Sequence, residues 1–368
     1  MIRAHKIRLY PNNMQATHLS KACGVARFAY NWALARAKER YERDNTSKFN
    51  EALLRRELNA VKREQFPWML EVTKCAPQLA IKDGLAKAFG NFFAKRAGFP
   101  KFRKKGVHDS FSLSNDQLKI KCNSVKIPNL GWVRIVEELR FSGKILGATI
   151  SRTADKWYIS IQVEIADTPI APSKNQAVGV DLGVKSLATL SDGTQIVGSK
   201  ASRQYEQKLR RLNQSLSRKV GANKGERKSA NFVKTRKQVS RLYAKMANIR
   251  TDETHKLTTM LTKNYGIIGI EDLNVKGMMS NHKLARSVAD MSFFEFRRQL
   301  GYKAESTGVN IVVADMWFPS SKMCSHCCTK VDEMPLNVRL WTCLGCNTQH
   351  DRDINAAINL KNYAVANA

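Results

Sequence analysis

Two cysteine pairs near the C-terminus, Cys324-x-x-Cys327 and Cys343-x-x-Cys346, constrain this chain more than any other feature. Fifteen residues separate them, the spacing of a four-thiolate zinc ribbon in which two short knuckles each supply two sulfurs. A β-hairpin holds such knuckles together, and Trp341 and Thr342 before the third cysteine suit one of its strands. Four thiolates leave no open position, so a zinc held this way is structural. Knuckles favour glycine after the second cysteine of each pair, yet Cys328 and Asn347 stand there. Asparagine tolerates a left-handed backbone; Cys328 is a competing thiol. His326 and His350, close by, read as surface residues.

Charge narrows the partners. The 368 residues include 62 Lys+Arg against 31 Asp+Glu, a net charge of +31. Such an excess repels itself unless a polyanion offsets it, and nucleic acid is the polyanion to expect. A membrane surface would need an amphipathic or apolar anchor, and the sequence offers neither that nor a spanning run. The charged N-terminus, MIRAHKIRLY, lacks a signal peptide's apolar core, so the expected location is the cytoplasm. Eight cysteines there argue for metal ligation and free thiols. Cys23, Cys75 and Cys122 read as small core residues.

Periodicity divides the chain. Residues 2–10 alternate as one strand, and Met14 to about Arg43 places Leu19, Cys23, Ala26, Tyr30 and Leu34 at helical spacing. Further helices are predicted within 49–63 and over 78–96, with Pro67 and Pro77 as punctuation. Residues 111–165 change to short alternating runs, clearest in WYISIQVE at 157–164. A helical block is thus inserted into a small β-rich module, and 165–175 reads as a linker. Then come a buried strand at 177–183, strands at 187–190 and 194–197 around an Asp192-Gly193 turn, and a basic helical stretch over 200–250. That stretch holds Arg210, Arg211, Arg218, Lys219, Lys224, Arg227, Lys228, Lys234, Arg236 and Lys237. With Lys101, Arg103, Lys104 and Lys105 it is the candidate phosphate-contacting surface. Phe28, Tyr30, Phe92 and Phe93 fit helix-core packing better than base stacking. Strands at 267–273 and 309–315 and helices at 291–306 and 353–366 complete the pattern.

Three acids stand out against this background. Asp181 ends an apolar strand between Gly179 and Gly183, and Glu271 follows Ile267, Ile268 and Ile270. A charge there is costly to bury unless paired or metal-bound. Asp353 shares a helix face with Ala356, Ala357 and Leu360, whose small alanines permit close approach to a sheet; Asp351 is better placed as the N-cap. Singly, each acid could be a cap or a salt-bridged strand end. Together, a strand Asp, a strand Glu and a helix Asp in one α/β domain make an RNase H-like set able to hold two Mg2+ (or Mn2+) ions for phosphodiester hydrolysis. Asp272 and Asp315 remain spare acids. The sequence lacks a Walker-type phosphate loop, a dinucleotide fingerprint, a Gly-x-Ser-x-Gly elbow and a His-Glu-x-x-His pair.

Seven blocks carry a resemblance: KIRLYPN (6–12), RFAYNWAL (27–34), the NFF…GFPKFRKKG stretch (91–106), GVDLGVKSLATLSDG (179–193), GIEDLNVKGM (269–278), FPSSKMCSHC (318–327) and CLGCNTQHDRDINAAINL (343–360). In these the chain resembles, nearly end to end, TnpB, the OrfB-type protein of IS200/IS605-related insertion sequences and a relative of type V CRISPR effectors. The resemblance implies a multidomain α+β protein. Its parts are a β-barrel wedge module (1–13 and 101–172), a helical recognition insertion (14–100) and a RuvC-like nuclease domain (176–368) with a zinc ribbon at 320–349. It implies RNA-guided cleavage of double-stranded DNA beside a short adjacent motif, Asp181, Glu271 and Asp353 as the catalytic, Mg2+-binding triad, and Cys324, Cys327, Cys343 and Cys346 as Zn2+ ligands. It also implies a transposon-derived guide RNA, a functional link to the element's transposase, and association with a prokaryotic nucleoid. The rival readings are a guided DNA-binding repressor without cleavage, an RNase H-like transposase that joins strands, and a non-enzymatic zinc-ribbon RNA-binding protein.

Overall fold

The computed structural model describes residues 1–46, 48–166, 176–220, 228–335 and 337–368. Most of the expected linker, and Lys224 and Arg227 of the basic stretch, lie outside the described residues. The chain forms two compact units, one before and one after the 167–175 segment.

In the first unit, strand β1 (Ile2–Tyr10) leads into helix α1 (Asn13–Arg43). Asn12 starts α1 with a reciprocal cap: its side chain accepts from the Gln15 amide at 2.8 Å, and its own amide donates to Gln15 Oε1 at 3.1 Å. Leu19, Cys23, Ala26, Tyr30 and Leu34, spaced to share a face, are all buried. Helices α2 (Glu51–Gln65), α3 (Cys75–Leu79) and α4 (Ala86–Phe93) follow. A π-helical turn at Ala80–Leu85 makes α3 and α4 one helix that begins three residues before the predicted start. Pro77 sits in its first turn, where the missing N–H costs nothing, and so does not punctuate.

Strands β2 (Ser110–Ser114), β3 (Lys119–Lys121), β4 (Ser124–Ile127), β5 (Gly131–Ile135), β6 (Lys144–Thr153) and β7 (Lys156–Glu164) join β1 in one antiparallel sheet ordered β2-β6-β7-β1-β5-β4-β3. β1 pairs with β7 from Ile2↔Glu164 to Leu9↔Trp157, so the N-terminal strand lies mid-sheet and the helices fall between two parts of it. Trp157, Ile159, Ile161 and Val163 form the buried face of β7. Cys23 and Cys75 are core residues, but Cys122 is not: it is exposed in the β3–β4 turn with φ 43°. Arg103 turns inward, its guanidinium 3.8 Å from the Tyr30 ring centroid and its backbone clasped by the Asn31 amide. Lys101, Lys104 and Lys105 stay exposed. Tyr30 is core and Phe28 packs on Phe66 and Trp68, whereas Phe93 is exposed.

The second unit centres on a sheet ordered β10-β9-β8-β11-β12. β8 (Ala177–Asp181), β9 (Ala188–Leu190) and β10 (Gln195–Ile196) form an antiparallel run, turned at Gly193 with φ 88°. Helices α5 (Ala201–Gln204), α6 (Glu206–Arg218) and α7 (Ala230–Asn264) carry the chain to β11 (Ile267–Glu271), parallel to β8. Helices α8 (Val275–Ser280), α9 (Ala285–Met291) and α10 (Phe293–Thr307) carry it to β12 (Asn310–Ala314), parallel to β11. A short hairpin, β13 (Leu340–Thr342) with β14 (Gln349–Asp351), precedes the last helix, α11 (Arg352–Ala366). The continuous apolar runs of β8 and β11 are explained by burial on both faces. No helix among the described residues is long and apolar enough to cross a membrane.

Candidate active site and metal centre

Helix α11 lies directly on the two central parallel strands, and glycine permits it. A Cβ at Gly179 of β8 would collide with the Ala357 carbonyl and the Lys361 amide, and one at Gly269 of β11 with the Leu360 carbonyl. Ala356, Ala357 and Leu360 are fully buried against these strands. Main chain therefore meets main chain, and side chains at the carboxyl ends of β8 and β11 face the first turn of α11. Ligand sites of parallel sheets form at such strand ends.

The three predicted acids converge there. Asp181 is the last residue of β8 and Glu271 of β11, one step beyond the Val180↔Ile270 pair. Asp353 stands in the first turn of α11, whose N-cap is Asp351, its carboxylate accepting the amides of Asp353 and Ile354 at 3.0 Å each. Asp181 keeps only a narrow opening to solvent. Burial, and then the charges of Asp353 and Glu271, push its carboxyl up to about 7. Burial also raises Glu271, opposed by a hydrogen bond from the Ser320 hydroxyl. Burial and mutual repulsion thus both act against the ionised form of Asp181 in this acid cluster.

Arg339 supplies the positive charge that the sequence did not reveal. Its Nη1 donates to both Asp353 oxygens, at 2.8 and 3.0 Å, and its carbonyl accepts the Arg352 amide at 2.8 Å. The spare acids have other partners: Asp272 pairs with Arg297, and Asp315 accepts the Trp317 amide at 2.8 Å.

The four cysteines gather with all ligand atoms within 4.8 Å of one another. Cys324 and Cys346 sulfurs are 3.6 Å apart, and those of Cys327 and Cys343 are 3.5 Å apart. A tetrahedron of bonds near 2.3 Å has edges of about 3.8 Å, so the set fits one thiolate-bound ion. The knuckles are near copies. The Cys324 amide bonds the Thr329 carbonyl and the Cys343 amide the Thr348 carbonyl, both at 2.9 Å. The amides of Cys328 and Asn347 return to Cys324 and Cys343, also at 2.9 Å. Cys328 and Asn347 are left-handed, φ 62° and 59°, and so take the glycine position. Cys328 is exposed and outside the sulfur cluster, so it does not compete as a ligand. Hydroxyls of Thr329 and Thr348 lower the Cys327 and Cys346 thiols, the latter to about 5.

His350 departs from its expected surface place. It is buried, its ring packed at a tilt against Trp341 at 4.9 Å across the β13–β14 pair, with Nε2 3.0 Å from Cys324 Sγ. His326 is exposed as expected. Sequence reasoning also missed Asn355 and Asn359, buried on α11. Asn355 accepts the Ser325 amide and donates to the Met323 carbonyl; Asn359 donates to the Ser320 and Met323 carbonyls, all at 2.6–2.9 Å. They clasp the first knuckle to the helix that carries Asp353. Their i, i+4 spacing beside the Asp was the one available signal.

Comparison with known proteins decides the family. The chain is 38% identical over 97% of its length to a Streptomyces pristinaespiralis protein named "Putative RNA-guided DNA endonuclease", spanning 88% of it. It is 34% identical over 98% of its length to the Escherichia coli K12 protein "Putative RNA-guided DNA endonuclease InsQ", spanning 91%. The chain belongs to the OrfB (TnpB) family. Residues 160–282 of this TnpB-family chain match the OrfB_IS605 profile, described as "Probable transposase". Residues 293–360 match "Cas12f1-like, TNB domain", and 1–46 the helix-turn-helix domain of OrfB_IS605. The TnpB-family fold is also that of a solved Cas12f1 complex with sgRNA and target DNA, at TM-score 0.56 and 11% identity over 98% of each chain.

Proposed function

We propose that this chain is an RNA-guided DNA endonuclease whose second unit is an RNase H-like, RuvC-type nuclease domain. The observation that carries the reading is the meeting of Asp181, Glu271 and Asp353 at the carboxyl ends of the parallel strands β8 and β11, in a chain similar end to end to proteins named for that activity. Guide pairing would select the target, while exposed basic residues such as Arg210, Arg211 and Arg218 on α6 and Lys234 and Arg236 on α7 hold phosphates.

Asp181, Glu271 and Asp353 would hold Mg2+ or Mn2+, which when bound lowers the pKa of an attacking water and offsets charge on the leaving oxygen. Asp181 would have to be ionised to do this, against the burial and neighbouring acids that raise its pKa. Ser320 orients Glu271 through its hydroxyl. Arg339, which donates to Asp353, would bring a guanidinium within reach of a phosphate oxygen held at the acids. Cys324, Cys327, Cys343 and Cys346 would hold a structural Zn2+, keeping the hairpin that carries Arg339 against α11. Asp181→Ala should abolish cutting of a guide-matched duplex while guided DNA binding persists. Cutting that survives Asp181→Ala would remove the acid assignment. Strand-transfer products instead of hydrolysis products would turn the reading to a transposase.

A further inference from the structure

The segment joining β12 to the first cysteine carries an aromatic side chain used neither by the core nor by the acid cluster. Trp317 is 83% exposed. Single apolar residues in water are ordinary, but this one stands on a loop fastened at both sides. Asp315 accepts the Trp317 amide at 2.8 Å, and the Phe318 amide returns to the Asp315 carbonyl at 2.9 Å. The Phe318 ring packs 4.7 Å from that of Tyr363 on α11, and the Ser320 carbonyl is held by Asn359 at 2.8 Å. The main chain is fixed and the indole is left outside.

Both ends of this loop touch the strand that carries Glu271. It begins at Ala314, which pairs with Glu271, and ends at Ser320, whose hydroxyl bonds the Glu271 carboxylate. Trp317 lies midway along the loop between these two points. We propose that Trp317 is a stacking platform for an unpaired nucleobase of the strand being cut, holding the neighbouring phosphodiester at the acids. This rests on the cleavage reading above. Every base has a π-face, so an indole serves any sequence, as a nuclease with guide-set specificity requires. Trp317 is a positioning residue: it touches a base next to the reacting group and takes no part in the bond exchange. Its loss is therefore expected in the rate of cutting and not in target affinity.

The test uses the full chain with its co-purified guide RNA, sequenced so that a matched duplex can be made. Targets carry one abasic nucleotide at successive positions around the cut. Trp317→Ala should slow single-turnover cutting roughly 5- to 150-fold, with target affinity and melting temperature unchanged. Trp317→Phe should recover most of the rate. At one position, an abasic nucleotide should slow the wild type as much as Trp317→Ala does, and slow Trp317→Ala no further. A Trp317→Ala variant that cuts at the wild-type rate, or melts early, overturns the platform. So does a set of abasic deficits that all multiply with the substitution. In both cases a wild type that cuts leaves the cleavage reading standing, whereas a wild type that never cuts removes both.

Discussion

Asp181→Asn should make the magnesium-free protein more stable at neutral pH, although it destroys a proposed catalytic group. The folded chain holds the Asp181 proton up to about pH 7, whereas the unfolded chain releases it near the ordinary 3.8. Below pH 3.8 both states are protonated and the group contributes nothing. Between the two values the unfolded state alone ionises, so folding stability falls as pH rises. Above about 7 the penalty is complete. At about 1.4 kcal/mol per pH unit, the gap of roughly three units is about 4 kcal/mol, and the opening to solvent lowers this to roughly 2–3 kcal/mol. Asparagine never ionises and removes the term. Thermal melts of both proteins in magnesium-free buffer at pH 5 and pH 8 would measure it. The variant's advantage at pH 5 should be about two-fifths of that at pH 8, and it should be lost from the pH 8 comparison when millimolar Mg2+ or Mn2+ stabilises only the wild type. An Asp181→Asn protein less stable than wild type at pH 8, or an advantage independent of pH, would refute the picture of an Asp181 carboxyl disfavoured by burial and by the neighbouring acids.

Asn359→Ala removes two buried donors and leaves the Ser320 carbonyl without its clasp, costing about 1–3 kcal/mol. A lowered melting temperature together with slower cutting would be seen, and the loss should not add to that of Asn355→Ala, because both bond Met323. Gly179→Ala drives a methyl into the Ala357 carbonyl, a clash with backbone that cannot rotate away, so soluble yield and melting temperature should fall by the equivalent of at least about 2 kcal/mol. Stripping zinc from the cysteines with a thiol reagent should release about one equivalent of metal per chain, read with a colorimetric chelator, and reduce cutting with it. Nucleic-acid affinity should fall steeply and log-linearly between 50 and 200 mM salt, measured by filter binding.

The strands bearing the first two acids were legible because parallel strands buried on both faces read as unbroken apolar runs, and a charge at the end of such a run is conspicuous. The placement of Asp353 on the sheet-facing side of α11 was legible from the alanines beside it. Arg339, Ser320, Asn355 and Asn359 were not, since each acts through a partner fixed only when the hairpin and loop fold onto α11. The surface reading of His350 failed for the same reason: its burial comes from the β13–β14 register, which sets it across from Trp341. The early helix start at Cys75 was hidden by Pro77, whose meaning depends on whether it falls in a first turn or beyond it. Cys122 was assigned to the core from neighbours that are strand-like, but it occupies the turn between them.

The contact of α11 with Gly179 and Gly269 has a further consequence. Where two elements touch through side chains, each substitution resets their separation by the width of a methyl group. Here the spacer is the peptide unit itself, whose dimensions do not vary with sequence. The offset between the helix acid and the two strand acids is thereby gauged by covalent geometry, and the surrounding core can drift through many apolar combinations without shifting it.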